Sequence, residues 1–224
     1  LTEADIQAYL DRRKPGQSRY TTARKEGDEV EILSGVFEGQ TTGTPISLIV
    51  RNKDQRSRDY GNIAKTYRPG HADFGFDSKY GFRDYRGGGR SSGRETIGRV
   101  AAGAIAAKIL KELGITLQAY TRSIGPVSCR SYHPEVIKEN SFYMPDMVAA
   151  EKASQYLEQC MKEEDSAGGV IECRINGVPA GIGDPVFGKL DAAFAQALMS
   201  IGAVKAVGIG DGIKVSTMKG SEDN

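Results

Sequence analysis

The sequence predicts an α+β fold, in which strand pairs and helices follow one another without a repeated strand–helix–strand unit. Residues 29–33 and 45–50 carry β-branched and apolar side chains on either side of a glycine-bounded connection, the pattern of a strand pair. A long alanine-rich segment after Ser92 has apolar residues at helical spacing. Because no βαβ series is present, we expect this arrangement and not a doubly wound sheet.

The first half of the chain predicts an N-terminal helix and, after the strand pair, a long polar segment. Thr2 and Asp5 resemble a capping box, and the helical pattern continues over residues 2–14 until Pro15 ends it. Residues 51–90 show no sustained period, and a loop of this length is uncommon in a compact domain unless it is disordered or builds a site. Its seven aromatic residues argue against disorder.

A second capping box, of the S-x-x-E type, occurs at Ser92 and Glu95 and predicts a helix that runs to Gly114. The alanines of this helix let neighbouring backbone pack closely on more than one face, so we expect it to be central. The remaining pattern predicts a strand at 117–127, a helix at 146–162, a strand at 169–178, a helix at 189–201 and a strand at 204–209.

Composition excludes several classes of function. The 224 residues, 39% of them hydrophobic, suit one large domain or two small ones. With 30 Lys+Arg against 29 Asp+Glu, the net charge of +1 creates no field that would recruit nucleic acid or a membrane surface. The three cysteines fit neither a metal clip nor a disulfide framework, so we expect reduced thiols in the cytoplasm and no metal site.

The sequence also predicts no membrane span, because no apolar run approaches the required length of about 18 to 20 residues. The first five residues lack the basic and apolar regions of a signal peptide. They also lack an initiator Met, from which we expect that a preceding segment is missing.

The strongest chemical signal is the segment 84–96 at the start of the alanine-rich helix. Three consecutive glycines let the backbone approach an anion, two serines add donors, and Arg86, Arg90 and Arg94 add charge in a fork geometry. Because helix N-termini expose unpaired N–H groups, a phosphate or a phosphorylated cofactor suits this segment. A flexible basic linker with an ordinary capping box remains the alternative. The absence of G-K-[ST] disfavours nucleotide hydrolysis.

Two further segments carry groups that suit anion and proton chemistry. Residues 68–73 place His71 between an arginine and an acid, where its pKa is readily tuned, although a loop histidine without a role is the alternative. Residues 11–20 place four cations at and beyond a helix C-terminus, which a solvated cap explains equally well. His133, which precedes a proline in a polar turn, is interpreted as surface structure.

Together, the segments 11–20, 68–73 and 85–96 resemble three signature segments of the chorismate synthase family, in that family's order and spacing. Residues 33–39, 176–181 and 209–212 agree as well, so the resemblance covers nearly the whole chain. It implies a lyase that forms chorismate by anti-1,4-elimination of phosphate from 5-enolpyruvylshikimate 3-phosphate, in the shikimate pathway to the aromatic amino acids. It also implies a requirement for reduced FMN, with NADPH as a candidate reductant.

The resemblance implies roles for individual residues. Arg90, Ser91 and Ser92 match the segment that contacts FMN, and Gly202-Ala203 falls where the family often has Asn-Ala at the flavin, so the glycine should weaken a side-chain contact there. His71 matches a histidine assigned to proton transfer. The substrate-binding positions are matched by Arg12, Arg13, Arg68 and Arg94, and Arg13 and Arg19 match positions that contact the nicotinamide nucleotide or the substrate.

For the architecture, the resemblance implies a single domain over residues 1–224, a β-α-β sandwich of two antiparallel sheets enclosing a helical layer, and a homotetramer. Family members begin upstream of Leu1 with a Gly-Glu-Ser-His-Gly segment and continue beyond Asn224 through Lys-Pro-Thr-Ser-Ser and Arg-His-Asp-Pro segments. We therefore expect a central portion truncated at both ends, whose site is incomplete if the molecule consists of these residues alone.

Two alternatives to the enzyme remain at this point. A truncated core could keep only the fold and the oligomer contacts. An RNA- or single-strand-DNA-binding module is suggested by the arginine–glycine run at 86–90 with its nearby tyrosines, although the near-zero net charge opposes it.

Overall fold

A computed structural model of the chain describes residues 1–21, 26–53, 62–86 and 89–223, with the backbone alone at residues 62, 63 and 90. The helices are α1 (Glu3–Arg13), α2 (Asp73–Tyr80), α3 (Thr96–Glu112), α4 (Met147–Lys162), α5 (Leu190–Met199) and α6 (Gly220–Asp223). The strands are β1 (Val30–Ser34), β2 (Val36–Phe37), β3 (Gln40–Thr41), β4 (Ser47–Val50), β5 (Thr116–Ile124), β6 (Val127–Ser128) and β7 (Gly169–Asn176).

The elements fall into two compact units. The first contains α1, the strands β1 to β7, most of α3 and α4; the second contains α2, the first turn of α3 and the chain from Pro179 onward. All strand pairs in the described residues are antiparallel: β1 with β4, β2 with β3, and β5 with both β6 and β7. The α+β prediction is therefore confirmed, including the strand pair formed by residues 29–33 and 45–50.

In the first unit, α4 packs beside the β5–β6 hairpin and supplies much of the core. Its N-cap residue Asp146 accepts hydrogen bonds from the N–H groups of Ala149, Arg130 and Ser131, at 3.0, 2.9 and 3.2 Å. Burial opposes ionisation of this carboxyl, but the three N–H donors outweigh it and lower its pKa to about 2. The buried cluster beneath comprises Cys129, Met144, Ala149, Ala150 and Ala153.

The alanine-rich helix α3 begins with a short 3₁₀ turn and ends where predicted. Gly114 follows it with a φ of 77°, in the left-handed region, and its N–H donates to the carbonyl of Lys111. Ala101 and Ala104 are buried, whereas Ile109 and Leu113 are 59% and 66% exposed. One face of the helix is therefore covered in this chain and another is open.

Three predictions about local structure were wrong. Residues 204–209 form no strand, because a strand needs a partner and none lies beside them among the described residues. The polar segment 51–90 contains a helix, α2, which the sequence pattern did not indicate. The side chains of Ser92 and Glu95 do not form a capping box, because the Glu95 carboxylate bonds Arg99 instead.

The cysteine prediction is confirmed in that all three are free thiols; Cys129 and Cys160 are buried and Cys173 is exposed. No helix in the described ranges is both long and apolar enough to cross a membrane.

Candidate functional site

The glycine- and serine-rich segment predicted to bind a phosphate leads into α3 through two 3₁₀ turns, Gly89–Ser91 and Gly93–Glu95. The N–H of Ser92 donates to the carbonyl of Gly89 at 3.2 Å, and the N–H of Glu95 donates to that of Ser92 at 3.1 Å. Arg94 is half-buried within the second turn. Gly87 and Gly88 of the glycine run lie outside the described residues.

The geometry of this segment fits a phosphate group. A Cβ added to Gly93 or Gly98 would meet nothing within 4 Å, so open space adjoins the backbone at the first turn of the helix. Gly89 has a φ of 49°, a conformation that side-chain-bearing residues rarely adopt. A 17-residue helix directs its positive dipole end here, and the hydroxyl of Ser92 does not cap it. The residues present therefore suit the phosphate of a flavin mononucleotide.

The second predicted flavin segment, Gly202-Ala203, follows the C-terminus of α5. Ala203 has a φ of 70°, although alanine disfavours the left-handed region. The guanidinium of Arg99, on the first turn of α3, donates to the Oγ of Ser200 at 2.9 Å and to its carbonyl at 3.3 Å. These hydrogen bonds thus connect the two segments that the resemblance assigns to FMN.

The predicted histidine lies in a turn that an ion pair closes. The Asp73 carboxylate accepts from the Nε and Nη2 atoms of Arg68, at 2.9 Å each, and from the Arg68 N–H at 3.0 Å. The Arg68 guanidinium holds the pKa of this buried carboxyl well below its usual range. His71 is exposed on the turn, with Nδ1 3.1 Å from the carbonyl of Pro69.

A second arginine supports the same turn. The Arg83 side chain is only 5% exposed and lies 3.6 Å from Asp73 and 3.2 Å from Asp77. Its Nη2 donates to the carbonyls of Ala64 and Thr66, at 3.3 and 2.9 Å. Arg83 therefore joins the start of α2 to the chain that precedes the histidine turn.

The candidate arginines at and after the end of α1, in the first unit, each have different partners. The guanidinium of Arg12 stacks 4.4 Å from the ring centre of Tyr9, and that of Arg13 pairs with the buried Asp28. Arg19 pairs with Glu158 and donates to the hydroxyl of Tyr20 at 2.7 Å. Its pKa is raised by the Tyr20 hydroxyl and by the Glu158 charge.

Of the candidate residues, the second unit contains His71, Arg68, Arg90, Ser91, Ser92, Arg94, Gly202 and Ala203, and the first contains Arg12, Arg13 and Arg19. Sequence reasoning did not single out Arg83, Arg99 or Ser200. The spacing of Glu95 and Arg99, four residues apart on a helix, was a signal for the second of these. The described residues contain no group of three or more potential metal ligands.

Comparison with known proteins identifies the family to which the chain belongs. Residues 1–224 match the family model described as chorismate synthase. The chain is 64% identical to the chorismate synthase of Agathobacter rectalis and 63% identical to that of Lachnoclostridium phytofermentans, and in each case all of this chain aligns with 62% of the relative. A solved structure described as chorismate synthase superposes with a TM-score of 0.80 at 32% identity, over 99% of this chain and 64% of the other.

These matches cover the whole chain and include the histidine turn and the glycine–serine segment. The chain itself spans 62% of the length of the curated relatives it matches. Its antiparallel sheets and helices agree with the fold of the solved relative. The chain belongs to the chorismate synthase family.

Proposed function

We propose that the protein containing this chain is a lyase that eliminates phosphate from 5-enolpyruvylshikimate 3-phosphate to give chorismate, and that it requires reduced FMN. The observation that carries the proposal is that hydrogen bonds of Arg99 connect the segments 89–96 and 200–203. The chain that contains them is 64% identical to a chorismate synthase. The open backbone beside Gly93 suits the cofactor phosphate. Bound FMN in its reduced form supplies the electron-rich group that the elimination requires.

In this proposal Arg90, Ser91 and Ser92 bind FMN together with Gly202 and Ala203. Because Gly202 has no side chain, its contact comes from the backbone. Arg94 and Arg68 bind the anionic groups of the substrate through their guanidinium forks. The Asp73 carboxylate accepts from Nε and Nη2 of Arg68 and so orders this side chain before the substrate binds; in this proposal Arg68 contacts the substrate through the Nη1 end of its guanidinium.

His71 is proposed to transfer a proton to the departing phosphate or the reduced flavin. The Pro69 carbonyl can only accept a hydrogen bond, so the contact at 3.1 Å places a proton on Nδ1. Nε2 is then the atom that gains and releases the second proton. An imidazole suits this task because one ring nitrogen can keep its proton while the other takes up or releases one.

We propose that Arg12 and Arg13 also contact the substrate, and that Arg13 and Arg19 contact either the substrate or a nicotinamide nucleotide. A ligand phosphate at Arg13 or Arg19 would compete with Asp28 or Glu158, which they contact in this chain. We further propose a cytoplasmic location. We also propose a homotetramer, and light scattering tests this oligomeric state directly.

The decisive experiment measures FMN binding first and elimination second. Flavin fluorescence gives the dissociation constant, and phosphate release from 5-enolpyruvylshikimate 3-phosphate under anaerobic reducing conditions gives kcat. We expect His71→Ala to lower kcat by about 10² to 10⁴-fold without weakening FMN binding. The matched control is His133→Ala, because His133 is exposed and its side chain pairs with the exposed Glu135.

Either of two results would reject the proposal. Equal loss of kcat in both histidine variants would remove the proton-transfer role of His71. A folded protein that neither binds FMN nor releases phosphate would favour the alternative of a core that serves only fold and assembly.

A further inference from the structure

Arg99 joins two parts of the second unit that are far apart in sequence. Its Nε donates to Glu95 at 2.9 Å, one helical turn back along α3. Its other two nitrogens donate to the side chain and carbonyl of Ser200, which lies 101 positions later. All three contacts use the planar fork of the guanidinium, whose donors have a fixed spacing.

Ser200 is the C-cap residue of α5, so the Arg99 cation lies at the negative end of that helix. A cation there is stabilised by the helix dipole and satisfies a carbonyl that has no partner within the helix. The Ser200 hydroxyl donates to the carbonyl of Ala197 at 2.5 Å, so the same hydroxyl is held by the helix while it accepts from Arg99. The end of α5 is therefore fixed relative to the first turn of α3.

The residues after Ser200 form the turn that contains the second predicted flavin segment. The N–H of Val204 donates to the carbonyl of Ile201 at 3.3 Å, and Ala203 has a left-handed backbone within this turn. Such a backbone disfavours alanine by about 1 to 2 kcal/mol, so surrounding contacts must maintain it. The contacts of Arg99 with Ser200, together with the hydrogen bonds of Ser200 to α5, anchor the start of this turn.

We infer that Arg99 is a positioning residue of the flavin site: it sets the distance between the segment 89–96 and the turn 200–203. The inference rests on the proposed FMN-binding function of those two segments. Arg99 itself contacts neither substrate nor cofactor in this account. It acts by holding, before the ligand arrives, two backbone segments that would otherwise have to be ordered on binding.

The inference predicts a specific difference from an ordinary surface ion pair. Arg99 and Glu95 are 37% and 31% exposed, and an exposed pair of this kind contributes little to global stability. Replacing the guanidinium of Arg99 should therefore leave the midpoint of thermal unfolding nearly unchanged while it weakens FMN binding. A purely structural ion pair would affect neither the affinity for FMN nor the order of the 200–203 turn.

The test uses Arg99→Lys, which keeps the charge but loses the fork, and Ser200→Ala, which removes one acceptor and leaves α3 intact. The control is Arg51→Lys, since Arg51 forms an exposed pair with Glu31 in the other unit. FMN affinity is measured by flavin fluorescence, and hydrogen exchange of the ligand-free protein reports order at residues 89–96 and 200–204. We expect affinity to fall about tenfold in both variants, equivalent to about 1.4 kcal/mol.

Faster exchange in both segments is expected as well, with thermal midpoints within about 2 °C of the unmodified protein. Unchanged exchange, or unchanged FMN affinity despite faster exchange, would overturn the inference while leaving the proposed function intact. Failure of the unmodified protein to bind FMN is a separate outcome, which rejects the proposed function and the inference with it. If Arg99→Lys unfolds the protein, Ser200→Ala decides by the same two measurements.

Discussion

Arg68 and Asp73 form a two-point ion pair, with Nε to Oδ2 and Nη2 to Oδ1 both at 2.9 Å, across a turn of five positions. Asp73 is 3% exposed, so its charge is compensated almost entirely by protein groups. The turn that this pair closes contains His71. The residue proposed to transfer a proton and the arginine proposed to bind an anion therefore share one turn, which one buried carboxylate closes.

Asp73→Asn is expected to destabilise the protein by about 3 to 5 kcal/mol. The substitution removes the negative charge that pairs with two guanidinium groups, the largely buried one of Arg83 and that of Arg68. Urea unfolding measures the change. The control is Asp77→Asn, which removes a half-buried partner of Arg83 and should cost about 1 kcal/mol. Equal costs for the two substitutions would show that Asp73 has no special role in the turn.

Asp146 should impose a distinct acid dependence on stability. Its pKa is lowered from 3.8 to about 2, so its stabilising contribution is complete above pH 3.8 and is lost as the pH falls towards 2. Asp146→Asn keeps one acceptor for the helix but cannot ionise. The difference in unfolding free energy between the unmodified protein and this variant should therefore shrink between pH 3.8 and about 2.

Urea midpoints measured at several pH values test this prediction. Because other carboxylates titrate in both proteins, only the difference between them reports Asp146. If the difference in unfolding free energy between the two proteins stays constant down to about pH 2, ionisation of Asp146 is not the source of its stabilising contribution.

Gly177→Ala is expected to be more destabilising than Gly39→Ala. Both glycines have left-handed backbones, with φ of 82° and 77°, so both substitutions introduce strain of about 1 kcal/mol. A Cβ at Gly177 would also lie 2.3 Å from the carbonyl oxygen of Gly114, whereas one at Gly39 would meet nothing within 4 Å. The overlap should add about 1 to 3 kcal/mol. Thermal unfolding of the two variants gives the comparison, and equal midpoints would mean that the backbone moves apart freely.

Tyr120 should ionise well above the usual range for tyrosine. Burial and the hydrogen bond to Glu172 raise its pKa from 10.0 to about 12, although Arg174 opposes this. A phenol with a raised pKa contributes stability below pH 10 that is lost as the pH rises towards 12. Tyr120→Phe should abolish this loss of stability at alkaline pH. It should also lower the free energy of unfolding by about 1 kcal/mol at neutral pH, because the hydrogen bond to Glu172 is lost.

Ultraviolet difference spectra of phenolate formation test the assignment of the cause. Glu172→Gln removes the negative charge beside the hydroxyl and should lower the pKa of Tyr120 towards 10.0. An unchanged titration in this variant would leave burial as the only cause.

Sequence patterns predicted the elements whose stability is mainly local. α4 and α5 begin and end within two residues of the predicted bounds, because capping residues and apolar periodicity coincide there. α2 was missed because it is short, contains Gly75 and depends on contacts of Asp73 that no periodicity reveals. The apolar run 204–209 was predicted as a strand because pattern alone does not say whether a partner strand exists.

The candidate site likewise combines features that the sequence predicted with features that it did not. The resemblance to a family supplied its residues, and helix-terminus physics supplied the reason for a phosphate at 89–96. The supporting contacts were not predictable, because Arg99 and Ser200 are 101 positions apart and their pairing depends on the tertiary structure of the second unit. Such long-range pairs follow from tertiary structure and leave no spacing pattern in one sequence.

The pairing of β5 with β7 has a consequence for how the chain folds. Tyr120 and Glu172 are opposite one another in the sheet but 52 positions apart in sequence, with all of α4 between them. Closing so long a segment costs chain entropy before the strand contacts can compensate for it, so the pairing is slow compared with helix formation. α4, whose cap and backbone hydrogen bonds are local, can form early, and the sheet then closes around a helix that already exists.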